Sequence, residues 1–94
     1  MPDRLSSDRV NELAKQIPAW KCKGDSLERD FALGDFQHAI SFVNQVAELA
    51  QSEGHHPDIH VSYDHVRLEL STHKAGGLTD RDFVLANKID SLRS

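Results

Sequence analysis

Apolar residues recur along this chain in two alternating rhythms, one helical and one of period two, and the switches between them mark out its elements. Val10, Leu13, Ala14 and Ile17 follow helical spacing behind Leu5-Ser6-Ser7-Asp8, where a serine can cap and an acidic residue sits in the first turn. Pro18 is expected to end this helix. Residues 19–23 and 26–33 then flank Gly24-Asp25, a two-residue turn in which glycine takes the positive φ, and that register sets Lys21 opposite Glu28 and Cys22 opposite Leu27. From Asp35 onward, Phe36, Ala39, Ile40, Val43, Val46, Ala47 and Ala50 fall on one face of a helix of about 17 residues that should run out near Gly54.

A second hairpin follows. Ile59, Val61 and Tyr63 alternate with polar residues, as do Val66, Leu68 and Leu70, with Asp64-His65 as the expected two-residue turn. In that register the six apolar side chains share one face of the sheet and the other face is polar. Residues 74–77 form a loop carrying two glycines. Thr79 can cap the last helix with Asp82 three residues on, a capping box with Asp in place of the usual Glu or Gln, and Leu78 can staple onto Phe83. Leu85, Ala86, Ile89 and Leu92 supply its buried face. The order α-β-β-α-β-β-α predicts an α+β fold, a four-stranded antiparallel sheet with helices packed on one face.

Composition narrows the function classes. At 94 residues the chain holds one core, so a single domain over 1–94 is expected, and a core of that size makes self-association physically reasonable. The net charge is −4 and the Lys and Arg residues are dispersed, which argues against a nucleic-acid partner. No apolar run approaches a membrane span, and Met1-Pro2-Asp3-Arg4 lacks the apolar core of a secretory leader, so a soluble cytoplasmic protein is the expectation. Cys22 is the only cysteine, which excludes an internal disulfide and a multi-thiolate metal site and suggests a small buried side chain.

The candidate chemistry lies in Glu53-Gly54-His55-His56-Pro57, read with His73 and Asp82, in a chain carrying six histidines. Clustered imidazoles suggest proton transfer or metal ligation. If the second hairpin forms as drawn, His55, His56 and His73 gather at one edge of the sheet, within reach of Asp82. Metal would need three or more converging ligands, and none of the usual helical ligand spacings is present, so no metal is expected. The rival explanation of the histidine pair is a helix C-cap, with the rings bonded to the last carbonyls. His60, His65 and His38 are read as a cross-strand partner of Glu69, a turn residue and a solvent-facing helix residue.

The run His55-His56-Pro57, with five intervening residues to Tyr63, nine more to His73 and eight more to Asp82, resembles the signature of the pterin-4a-carbinolamine dehydratase family, whose members are also known as dimerisation cofactors of a homeodomain transcription factor. Trp20, Leu70-Ser71-Thr72-His73, Gly77-Leu78 and Arg81-Asp82 match the family frame, so the resemblance covers nearly the whole chain. Two positions depart from it. Gln51 stands where the signature has an acidic, Lys or His residue, and Ile59 where some members carry Trp.

The resemblance implies a cofactor-free dehydration of 4a-hydroxytetrahydrobiopterin to the quinonoid dihydropterin and water, in the service of an aromatic amino-acid hydroxylase. It makes His55 and His73 the proton-transfer pair. His56, with Pro57, Tyr63 and Trp20, would bind the pterin, and Asp82 would hold a histidine in the correct tautomer. It also implies a homodimer or homotetramer. Two alternatives stay open: an interaction module that binds a transcription factor, nuclear if that role applies, and a dehydratase acting on another pterin.

Overall fold

The computed structural model describes residues 4–92, so the expectation about a leader at the N-terminus lies partly outside the described residues. The elements are α1 (Ser7–Ala14), β1 (Lys21–Lys23), β2 (Ser26–Ala32), α2 (Phe36–Glu53), β3 (Asp58–Ser62), β4 (His65–Leu70), a 3-10 turn (His73–Ala75) and α3 (Asp80–Ser91). This is the α-β-β-α-β-β-α order expected from the hydrophobic rhythm. All pairings in the four-stranded sheet are antiparallel and the strand order is β1-β2-β4-β3, which leaves β1 and β3 as edges.

Local chemistry sets most boundaries. Ser6 caps α1 by accepting from the Arg9 N–H, and Asp35 caps α2 by accepting from the His38 N–H. That bond and the His38 ring at 2.8 Å hold the Asp35 carboxyl below the usual carboxylate range. Gly54, in the left-handed region at φ 66°, stops α2, a conformation that costs glycine little. The first hairpin forms in the expected register, with Lys21 across from Glu28 and Cys22 across from Leu27.

The core lies between the sheet and the helices. Leu27 and Phe31 of β2 and Val66, Leu68 and Leu70 of β4 meet Ala39, Phe42 and Val46 of α2 and Phe83, Leu85, Ala86 and Ile89 of α3. The opposite face of the sheet is polar, pairing Glu28 with Glu69 and Asp30 with Arg67. Lys23, 3.1 Å from Glu28, holds that carboxyl below its ordinary range.

Several expectations need correction. α1 ends at Ala14, before Pro18, because the chain tightens into i→i−3 bonds (Gln16 to Leu13, Ile17 to Ala14) that swing Ile17 into the core. Cys22 is exposed, because it lies on a three-residue edge strand beside an open cleft toward α1. The β3–β4 turn is Tyr63-Asp64, with Tyr63 at φ 52°, so Val61 pairs with Val66 and Ile59 with Leu68. The register is displaced by an even number of residues, which preserves the face and changes the partners. Tyr63 thereby becomes a turn residue, 69% exposed, and His65 becomes the first residue of β4. His60 pairs with Arg67 and reaches Glu69 only diagonally, at 3.6 Å. The buried stripe of α2 runs through Phe42 and leaves Phe36 and Ala47 outside, and Leu92 lies beyond α3, exposed.

Candidate active site

The end of α2 places the histidine pair. The N–H of Gly54 returns to Ala50 and Gln51, the N–H of His55 returns to Ala50 at 3.2 Å, and the Arg81 guanidinium donates to the Gly54 carbonyl at 2.9 Å. Backbone and arginine therefore satisfy the last turn. Neither imidazole ring is spent on capping, so the rival explanation of the pair fails. The rings go elsewhere.

His55 turns inward to α3, where its Nε2 lies 2.5 Å from Asp82 Oδ1. Asp82 is fully buried, and a carboxylate there persists only when its oxygens are satisfied by donors. Its other oxygen, Oδ2, accepts from the Thr72 hydroxyl at 2.9 Å and the Thr79 N–H at 3.0 Å. The second of these bonds is the acidic half of the expected capping box. A carboxylate only accepts, so the direction of every proton around it is fixed. His55 carries its proton on Nε2, the Thr72 hydroxyl donates to Asp82, and the Thr79 hydroxyl donates in turn to Thr72 at 2.8 Å. Neutral His55 then keeps an unshared lone pair on Nδ1.

His56 points outward and is exposed, its Nε2 3.0 Å from Gln51 Oε1. Gln51, the departure from the family pattern, thus orients one of the histidines. Pro57 leads straight into β3. His73 opens the 3-10 turn, exposed, behind a two-way bridge between Thr72 and Gly77. It lines a cavity of 280 Å³ with Asp25, Ser26, Ser71, Thr72, Gly76 and Gly77, whereas His55 lines one of 150 Å³ with Glu53, Asp80, Arg81 and Val84. The structure thus joins His55 to Asp82 directly. It brings His73 beside the same network through its neighbour Thr72, without giving the two rings a common cavity in the single chain.

Two expected pterin contacts lie away from the histidines. Trp20 is 5% exposed in the core, edge-on to Phe31, and its indole N–H donates to Asp90 at 2.8 Å. Tyr63 sits in the turn at the far end of β3 from Pro57, with five strand residues between them spanning about 17 Å. Sequence spacing gives no sign of the Thr72 contact, which crosses a loop, or of the Gln51 contact, which crosses the end of a helix.

A compact α+β domain that fixes an imidazole on a buried carboxylate defines a small protein suited to proton transfer. The family model described as Pterin 4 alpha carbinolamine dehydratase matches residues 3–92, and the chain belongs to that family. It is 46% identical over 91 residues to a protein of Thermomicrobium roseum, covering 97% of this chain and 98% of that one. It is 48% identical over 89 residues to one of Acidobacterium capsulatum, covering 95% and 97%. Both relatives carry pterin-4-alpha-carbinolamine dehydratase as a provisional name. The crystal structure of a transcriptional coactivator/pterin dehydratase from Brucella melitensis superposes with a TM-score of 0.92 at 29% identity, over 98% of this chain and all of that one. A pterin dehydratase-like RuBisCO assembly factor of the alpha-carboxysome, at 24% identity and a TM-score of 0.64 over 78% of this chain and 84% of that one, shares the fold.

Proposed function

We propose that this protein dehydrates 4a-hydroxytetrahydrobiopterin, or a close analogue, to the quinonoid dihydropterin and water, recycling the pterin for an aromatic amino-acid hydroxylase. The observation that carries the reading is the His55–Asp82 pair, in which a buried carboxylate fixes the tautomer of an imidazole at the edge of the fold. The reaction removes the N5 proton, forms the C4a–N5 double bond and breaks the C4a–O bond, so one group must take a proton while another gives one. His55 is suited to the first task, because Asp82 stabilises the imidazolium that forms. His73, exposed on its turn, gives a proton to the leaving hydroxyl and reloads from solvent. His56 and Pro57 bind the ring system, with Gln51 setting the orientation of His56. Trp20 and Tyr63 have no part in this arrangement.

The test is whether purified protein accelerates loss of the carbinolamine absorbance above the spontaneous rate. An unaccelerated reaction with folded protein would refute the proposal and favour a second reading, an interaction module that binds a transcription factor. That second reading draws on Phe36, 52% exposed, and on Ala47, which place an unburied apolar stripe on α2.

A further inference from the structure

Thr72 is a buried hydroxyl with three attachments. Its backbone is bridged to Gly77 in both directions, its hydroxyl donates to Asp82 Oδ2 at 2.9 Å, and it accepts from the hydroxyl of Thr79. Asp82 Oδ1, on the other side of the same carboxylate, holds His55. The residue after Thr72 is His73. One side chain thus stands two hydrogen bonds from the first imidazole and one peptide unit from the second.

We infer that Thr72 is a positioning residue for the proton-transfer pair, holding the Asp82 carboxylate in the plane that presents Oδ1 to His55 while fixing the start of the turn that carries His73. This inference rests on the dehydratase reading. Without Thr72, Asp82 Oδ2 would keep a single donor, the Thr79 N–H, opposite the His55 bond to Oδ1, and the Thr72 hydroxyl supplies the second donor on that oxygen. Hydrogen bonds to charged groups are about twice as strong as neutral ones, so the loss should be felt at His55.

The test compares wild-type protein with Thr72→Ser, which keeps the hydroxyl, and Thr72→Val, which keeps the shape. Steady-state kinetics are read alongside the nuclear magnetic resonance signal of the His55 Nε2-bound proton. Thr72→Val should lower kcat about tenfold with KM changed less than about twofold, and displace the His55 resonance. Thr72→Ser should stay within about twofold of wild type on both constants and leave the resonance in place. A folded Thr72→Val with wild-type kcat and an unmoved resonance would overturn the assignment. If wild-type protein is no faster than the spontaneous reaction, the dehydratase reading fails, and the resonance comparison still decides whether Thr72 positions His55. Should Thr72→Val not fold, the wild-type Thr72 hydroxyl proton decides: slow exchange with water supports the inference, and exchange at the rate of a free hydroxyl overturns it.

Discussion

Replacing Asp82 with Asn puts the most strain on the proposed mechanism, because it keeps the shape of the side chain and changes only what its atoms donate. In the native site the fully buried carboxylate receives His55 Nε2 at 2.5 Å, Thr72 Oγ1 at 2.9 Å and the Thr79 N–H at 3.0 Å. An amide offers one oxygen that accepts and one nitrogen that donates. If the oxygen keeps the two threonine donors, the nitrogen faces His55, whose ring proton must move to Nδ1. The lone pair intended for the substrate then disappears. Misplaced tautomers and lost acid–base groups cost roughly 10²- to 10⁴-fold in rate, so kcat should fall by at least about 10²-fold, or about 2.7 kcal/mol of barrier. Losing the charge from these hydrogen bonds should also cost about 2 kcal/mol of stability, which for a domain of this size lowers Tm by roughly 8–16 °C. Kinetics corrected for the spontaneous reaction, with Tm measured on the same sample, separate the two effects. A folded Asp82→Asn protein with wild-type kcat and a reduced Tm would show that the carboxylate serves only to start α3.

Other outcomes follow from the same geometry. His55→Ala and His73→Ala should each lower kcat by about 10²-fold and the double variant should approach the spontaneous rate, whereas His56→Ala should act mainly on KM; a folded His73→Ala protein with full kcat would move the acid role elsewhere. Activity should survive exhaustive chelation, and loss of activity reversed by zinc would contradict a metal-free mechanism. With two unpaired sheet edges and exposed Val61 and Phe36, the chain should sediment as a dimer or tetramer at micromolar concentration, and an active monomer would show that assembly is not required. The lowered Asp35 carboxyl contributes stability above its unfolded value, and this is lost as pH falls through the folded one, so denaturation midpoints of wild type and Asp35→Ala should converge in acid; a gap that persists there would refute the assignment.

What the sequence made legible was whatever depends on short range. Ser6, Asp35 and Gly54 announce helix ends through their own hydrogen bonds or backbone freedom, and Gly24-Asp25 sets the first hairpin in register. The second hairpin shows the limit, since alternation fixes which face Ile59 and Val66 occupy but leaves slips of two residues unresolved; the turn fell one residue earlier than expected, at Tyr63-Asp64. Cys22 departs from its expected burial for a different reason: its residue type favours burial, but it lies on a short edge strand beside an open cleft. At the site, Asp82 was visible as a capping-box residue, whereas its contact with Thr72 required the fold to close a loop. The second hairpin predicts that His55 and His73 gather at one sheet edge, and the resemblance alone implies their proton-transfer roles; their rings open on separate cavities.

The lone tryptophan offers a built-in optical reporter. Trp20 is anchored through its indole N–H to Asp90, near the C-terminal end of α3, and Arg29 shares that carboxylate at 2.5 Å. With no second indole to blur the signal, intrinsic emission reads the seating of the tail of α3 against the hairpin. Undocking of that tail would admit water to the ring and shift emission to longer wavelength, whereas events at the head of α3, where Asp82 holds His55, would pass unseen. Fluorescence and turnover therefore watch opposite ends of one helix, and any temperature at which they part company measures how far that helix comes loose piece by piece.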